Sequence, residues 1–257
     1  MALDRFSLAG KTVLITGASS GLGHHFAGVV AEAGARVVLA ARRVDKLQAR
    51  LDELLGAGFE AACIEMNVRN GESVRHGFER AMEAFGMPDV VINNAGVEAG
   101  VFTYITLEEK DWDSVIDTNL KGVWLVAREA SRHWIEQKRG GNIINIASIL
   151  AHRQQKGVTP YAVSKAGVMQ LTRQIALEGA RWGIRCNALA PGYFMSAVSA
   201  TLLESDAREA FVRDIPQRRT GEFEDYDGAL LLLASEASAH MTGEGIVVDG
   251  GHVVKSL

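Results

Sequence analysis

The chain has 257 residues, of which 47% are hydrophobic and 23% charged, and its formal net charge is −4. That size suits one large domain with a sizeable core. The mildly acidic balance offers no basic stripe for nucleic acid, and no run reaches the roughly 18 apolar residues of a membrane span. The N-terminus "MALDRFSLAGKTVLITG" carries Asp4 and lacks the long apolar stretch of a signal peptide, and no Cys/His cluster suggests a metal site. Cys63 and Cys186 read as small core residues in β-like runs. A reduced, cytoplasmic protein is the expectation.

In chain order, short β-branched runs occupy 12–17, 36–41, 60–66, 89–96, 141–148, 184–192 and 245–251. Several are apolar nearly throughout, as strands buried on both faces of a parallel sheet are. Stretches of helical period separate them at 22–33, 43–55, 72–85, 107–137, 160–181 and 224–234. Alternating β and α along the whole length predicts an α/β fold, a single doubly wound domain over 1–257 with a seven-stranded, mostly parallel sheet and helices on both faces. Residues 193–223 break the pattern and read as a substrate loop or lid.

"TVLITGASSGLGHHFAGVVAEAGARVVLAARR" reads as strand, glycine-rich turn, helix, strand. Gly17, Gly21 and Gly23 let the backbone turn and approach a pyrophosphate at the N-terminus of the helix that follows. This context, rather than the glycines alone, predicts a dinucleotide site. The second strand ends in "LAARR". Ala41 stands where an NAD site commonly places an acid for the ribose 2′-hydroxyl, and Arg42 and Arg43 follow. An arginine can fork onto a 2′-phosphate, so NADP(H) is expected over NAD(H). His24 and His25 read as helix-surface residues.

Tyr161 and Lys165 in "TPYAVSKAG" lie four apart, on one helix face. A lysine ammonium beside a phenol favours the phenolate, which brings the tyrosine pKa toward the working range of a general acid/base.

"TGASSGLG", "NNAG", "NIAS" and "YAVSK", in this order, resemble the short-chain dehydrogenase/reductase family over about residues 8–251. The likeness is to members of about 250 residues, including 3-oxoacyl-carrier-protein reductases and sugar or secondary-alcohol dehydrogenases. The resemblance implies that Tyr161 is the general acid/base, that Lys165 holds the nicotinamide ribose and lowers the tyrosine pKa, that Ser148 bonds the substrate oxygen, and that Asn119 holds a water beside the lysine. It implies cofactor contacts from Gly17, Ser19, Ser20, Gly21, Leu22, Gly23, Arg42, Arg43, Asn67, Val68, Asn94, Ala95, Gly96, Tyr161, Lys165, Pro191, Gly192, Phe194 and Ser196, with Asn93 stabilising the central sheet. Asn67 stands where an aspartate is commoner at the adenine pocket, and Ser196 where threonine is commoner. Substrate contacts are expected from Ser148, Gln155, Tyr161 and Tyr193. The polar loop "HRQQKGVT" also offers His152 and Gln154, unless it is only a solvated loop.

Two readings follow for the substrate. An apolar roof of Tyr193, Phe194, Met195, Val198, Leu202 and Leu203 favours a ketone or alcohol with a hydrophobic arm, such as a 3-oxoacyl thioester or a cyclic or aryl ketone. If those side chains only pack the lid, a polyol fits. Rival functions are an NAD-dependent dehydrogenase oxidising a sugar or polyol and a non-catalytic dinucleotide-binding regulator. The family resemblance also implies a homotetramer packed through the helices at 107–137 and 160–181 and the last strand, with Trp124 and Val168 among the apolar residues of those helices.

Overall fold

A computed structural model describes residues 2–194 and 208–255. Seven strands form one sheet: β1 (Thr12–Thr16), β2 (Arg36–Ala41), β3 (Ala61–Glu65), β4 (Val90–Asn93), β5 (Gly141–Ile146), β6 (Ile184–Pro191) and β7 (Gly245–Val248). Their order is β3-β2-β1-β4-β5-β6-β7. Every pairing is parallel, for example Ile15 with Leu39 and with Ile92, so the expected "mostly parallel" sheet is wholly parallel.

The apolar runs are continuous because both faces are buried. Val13, Ile15, Val37 and Leu39 join one core cluster, while Leu14, Val38 and Ala40 join the other. Successive side chains point to opposite faces, so each cluster takes every second residue. The first cluster is closed by α1 (Gly21–Glu32), α2 (Val44–Gly56) and α8 (Asp227–Ala234) through Phe26, Leu47 and Leu230. The second is closed by α3 (Gly71–Phe85) and α5 (Gly122–Glu136) through Phe78 and Trp134. Trp134 is fully buried, and its indole N–H donates to the Pro88 carbonyl at 2.8 Å. A side chain of this kind contributes about 1.5–3 kcal/mol by leaving water.

The expected helix at 107–137 is divided. α4 (Glu109–Ile116) and α5 are joined by one π-helical turn, Asp117–Lys121. Helical backbone angles continue through that turn, from Ile116 to Gly122, so no break residue marks it in the sequence. Such wide turns often mark functional positions, and Asn119 sits inside this one. The sixth helix, α6 (Thr159–Gly179), begins with Pro160 at its first turn, where a missing N–H costs nothing. Of the expected lid, the described part holds Tyr193, Phe194 and a short helix, α7 (Arg208–Arg213). Ser196, Met195, Val198, Leu202 and Leu203 lie outside the described residues.

Cys186 is buried in β6, and burial pushes its thiol up to about 12. Cys63 is only half-buried, a departure from the core reading, because β3 is an edge strand. His25 is not a plain surface residue: it pairs with Asp227 at 2.7 Å and ties α1 to α8, while His24 faces Glu53 at 3.4 Å. No described helix is long and apolar enough to cross a membrane.

Candidate active site

The strand order reverses between β1 and β4, which opens a crevice at their carboxyl ends. The glycine turn and "NNAG" meet there. Asn94 donates from its amide side chain to the carbonyls of Thr16 (3.0 Å) and Gly17 (3.2 Å). The Thr16 hydroxyl accepts from the backbone N–H of Asn94 and of Ala95, both at 3.1 Å. Asn94 is thus a strut for the turn. The glycines serve different ends. A Cβ on Gly17 would stand 2.7 Å from the Ala95 Cα, and one on Gly23 would stand 2.3 Å from the Asn94 amide nitrogen. At Gly21 a Cβ would meet nothing within 4 Å, but its φ of +58° favours glycine and leaves the backbone open to an approaching phosphate. Gly17→Ala, with φ at +69° as well as the contact, is expected to store roughly 1–3 kcal/mol of strain. A thermal melt should show Tm lowered by several degrees, and a fluorescence titration should show weaker dinucleotide binding.

The cofactor end continues along the same cavity. Arg42 and Arg43 line it with Ser19 and Ser20. Arg43 donates to the hydroxyls of Ser19 (3.2 Å) and Ser20 (3.4 Å). Ala41 ends β2 as a buried residue and brings no carboxylate. Asn67 and Val68 line the cavity too, with the Asn67 side-chain oxygen, Oδ1, accepting from the Arg69 backbone N–H at 3.2 Å. Leu22, Asn94, Ala95, Gly96, Pro191, Gly192 and Phe194 are also in its wall, whereas Gly23 stands behind the turn.

At the other end Ser148, Tyr161 and Lys165 line the cavity, while Asn119, the fourth expected catalytic residue, stands behind its wall. Ser148 follows β5 and caps a 3₁₀ turn, its hydroxyl accepting from the Leu150 N–H at 3.1 Å. Lys165 is buried, and its ammonium donates to the Ile146 carbonyl at 2.7 Å. It lies 5.5 Å from the centroid of the Tyr161 ring. Asn119 is fully buried. Its amide exchanges two bonds with the Val97 backbone, accepting from the N–H at 2.8 Å and donating to the carbonyl at 2.9 Å. A third bond reaches the Ser164 hydroxyl at 3.3 Å. The Asn119 side chain is therefore a staple between the "NNAGV" loop and α6.

The electrostatics correct one sequence expectation. The Tyr161 phenol is raised above its ordinary value, first by burial in the cleft, then by the charge of Glu98, with the nearby Ser148 hydroxyl pulling it back. Lys165 is itself lowered to about 8 by burial, with Glu98 opposing. Spacing on a helix revealed the pair but not the cost of desolvating it. Glu98 was not singled out from the sequence. It lines the cavity beside Tyr161 and Lys165, and only its place two residues past "NNAG" signals this.

Among the expected substrate residues, Gln155 and Tyr193 line the cavity and bond each other, the phenol donating to the amide carbonyl. His152 and Gln154 are exposed and outside the cavity wall. Tyr193 and Phe194 do not form a free roof. Tyr193 packs edge-on against Phe211 with centroids 4.6 Å apart, and Phe194 packs against Phe223 and Tyr226 at 5.5 and 5.6 Å. Among the described residues no group of three or more His, Cys, Asp or Glu is placed to hold a metal ion.

Residues 17–252 match the model of a family described as enoyl-(acyl carrier protein) reductase. The chain is 34% identical to the 5-keto-D-gluconate 5-reductase of Escherichia coli K12 over 98% of both proteins. It is 37% identical to a 3-oxoacyl-[acyl-carrier-protein] reductase of Staphylococcus epidermidis, over 94% of this chain and 98% of that one. A solved structure of a gluconate 5-dehydrogenase from Burkholderia cenocepacia J2315, in complex with NADP and tartrate, superposes over 100% of both chains with a TM-score of 0.95 at 34% identity. A short-chain type dehydrogenase/reductase from Mycobacterium marinum gives 0.93 at 38% identity, over 98% of this chain and 99% of that one. These likenesses span the glycine turn and the Ser148, Tyr161 and Lys165 cluster alike, and the chain belongs to the short-chain dehydrogenase/reductase family of oxidoreductases.

Proposed function

We propose that the protein is an NADP(H)-dependent oxidoreductase that interconverts a ketone and a secondary alcohol with Tyr161 as general acid/base. One observation carries this reading. A single cavity of about 670 Å³ runs from the glycine turn and its two arginines to Ser148, Tyr161 and Lys165. That volume and its few polar groups suit a bound cofactor with a small substrate beside it. The open face at Gly21 and the Arg42 and Arg43 guanidiniums fit a 2′-phosphorylated dinucleotide. A nicotinamide held at Gly192 would supply or take the hydride.

The chain's own residues do the rest. Ser148 orients the reacting oxygen toward Tyr161, and Tyr161 gives or takes the proton. Burial and the Glu98 charge keep the phenol protonated near neutral pH, so the site stands ready as an acid for carbonyl reduction. In the oxidative direction the phenolate is the base, and the rate should rise with pH. Lys165, fixed on the Ile146 carbonyl, is poised to reach a ribose. The Asn119 staple keeps the "NNAGV" loop against α6.

The substrate we favour is a ketone or secondary alcohol with a hydrophobic arm. With Tyr193 and Phe194 engaged in packing, Val97, Val101, Ile149, Leu150 and Val158 supply the apolar wall for that arm. The sugar-acid names among the relatives support the second reading, oxidation of a polyol. Comparing kcat/KM for an acetoacetyl thioester, an aryl ketone and a keto-sugar decides: a ten-fold preference for the keto-sugar refutes the arm.

The cofactor choice has its own test. Wild type should bind NADPH 10- to 100-fold more tightly than NADH, the scale of one charge-assisted bond. Ala41→Asp with Arg42→Ile should reverse that order in fluorescence titrations. Equal affinities in wild type would refute it.

We also propose a cytoplasmic homotetramer. Trp124 on α5 and Val163 and Leu177 on α6 are exposed apolar residues, as is Val247 on β7. Val168, expected to share this role, is fully buried inside the subunit instead. Sedimentation as a monomer at micromolar concentration would refute the assembly.

A further inference from the structure

Charge is divided unevenly along the cavity. The side chains of Arg42, Arg43 and Arg69 line its cofactor end. At the chemical end the one lysine, Lys165, is already engaged with the Ile146 carbonyl, and Arg153, on the neighbouring loop, donates to the His252 carbonyl and is not in the wall. The carboxylate at that end is Glu98, beside Ser148, Gln155, Tyr161 and Tyr193. Among the described residues it has no hydrogen-bond donor and no salt-bridge partner. Gly96, two residues earlier, is close enough to the chemistry that a Cβ there would stand 3.8 Å from the Lys165 ammonium.

We infer that Glu98 is a specificity-determining residue: it accepts a hydrogen bond from a hydroxyl or N–H on the non-reacting part of the substrate and excludes substrates that carry a carboxylate. This rests on the oxidoreductase reading above and deepens it. A carboxylate with no donor among the described residues has its acceptor capacity open to a ligand. The same charge repels an anion, and the engaged lysine gives that anion no compensating fork. Glu98 keeps an open solvent face, yet the cleft desolvates it enough to raise its carboxyl above the ordinary value, with Lys165 pulling back. A donor from the substrate would relieve that cost. The expected substrate is therefore a neutral, hydroxyl- or N–H-bearing ketone or alcohol, with its carbon arm on the apolar wall. An aldonate is not.

Two matched sets test this. In NADPH-dependent reduction, 4-hydroxy-2-butanone, methyl acetoacetate and acetoacetate differ mainly in bearing a donor, neither donor nor charge, and a carboxylate. Wild type should rank them in that order, with at least a ten-fold span in kcat/KM. Glu98→Gln, which is nearly isosteric, should shrink the ratio of the first to the last by 10- to 100-fold. The second set needs no turnover. Threitol and tartrate share a skeleton and differ only in their end groups, and their binding to the NADPH complex is read by nucleotide fluorescence. Wild type should favour threitol, and Glu98→Gln should gain tartrate affinity at least ten-fold. NADPH affinity and Tm report that the variant is folded.

A wild type that binds tartrate as well as threitol, a Glu98→Gln ratio within two-fold of wild type, or no binding of either four-carbon probe would overturn the proposal. If no ketone is reduced while the threitol and tartrate preference behaves as stated, the oxidoreductase reading fails and the charge filter stands.

Discussion

Tyr161→Phe is expected to abolish turnover while NADPH binds nearly as before. The substitution keeps the ring that packs beside Lys165 and deletes the single oxygen proposed to move the proton. General acid/base groups contribute about 10²–10⁴-fold, so kcat should fall by at least two decades, in stopped-flow or steady-state assays alike. The affinity for NADPH should stay within about three-fold, because the phosphate and ribose contacts proposed above lie on the glycine turn, the arginines and Lys165. A variant retaining a tenth of wild-type kcat would remove Tyr161 from the mechanism. The result would also separate catalysis from simple nucleotide binding, since a regulator that merely holds a dinucleotide has no turnover to lose.

Lys165→Met should lose turnover as completely and, unlike the tyrosine variant, weaken cofactor binding. It should also unfold at a higher temperature. Burial lowers Lys165 from 10.5 to about 8, which at 1.36 kcal/mol per unit is a cost of roughly 3 kcal/mol for holding the ammonium in the folded protein. Methionine removes that cost, keeps most of the stem volume, and forfeits a bond to the Ile146 carbonyl worth about 1 kcal/mol. The sign with pH is fixed. The unfolded chain binds the proton more tightly than the folded one between about 8 and 10.5, so wild-type stability gains with rising pH over that window. The advantage of the methionine variant should be full below pH 8 and vanish toward pH 10.5. Melts at pH 7 and pH 10 check this. A methionine variant less stable at pH 7 would mean that the lysine is a structural post, not a tolerated cost.

How far the sequence reaches is clear at particular residues. The strands were legible because a parallel sheet buried on both faces leaves unbroken apolar runs such as "TVLIT" and "RVVLAA", and turn residues punctuate them. The glycine turn was legible from its context between strand and helix. Ser148, Tyr161 and Lys165 were legible as a candidate site only through the order of four short motifs, and the structure brings the three into one cavity. Three things were not. The π turn at Asp117–Lys121 carries no glycine or proline and continues in helical backbone angles on both sides, so nothing in the sequence marks it. Glu98 looks like any solvated loop acid, since its neighbours come from the segment after β5, α6 and the segment after β6. The direction of the Tyr161 shift depends on desolvation, which spacing along a helix does not report. Phe194 looked like a roof because it is apolar and close to "PG", yet its ring turns to Phe223 and Tyr226.

The paired bonds between Asn119 and the Val97 backbone have a consequence for how such a chain diversifies. They divide the segment after β4 into two jurisdictions. Upstream, Asn94 and Ala95 are geared to the glycine turn through Thr16 and Gly17, and a change there is expected to disturb nucleotide binding. Downstream, Glu98 to Ile105 leaves the anchor and is tied back at Phe102, whose N–H donates to the Gly157 carbonyl at 2.8 Å, while Val101, Tyr104 and Ile105 are largely exposed. Val97 is the hinge pin between the two. Mutations can accumulate past it, altering what is recognised, while the hydride-transfer apparatus behind it is inherited unchanged.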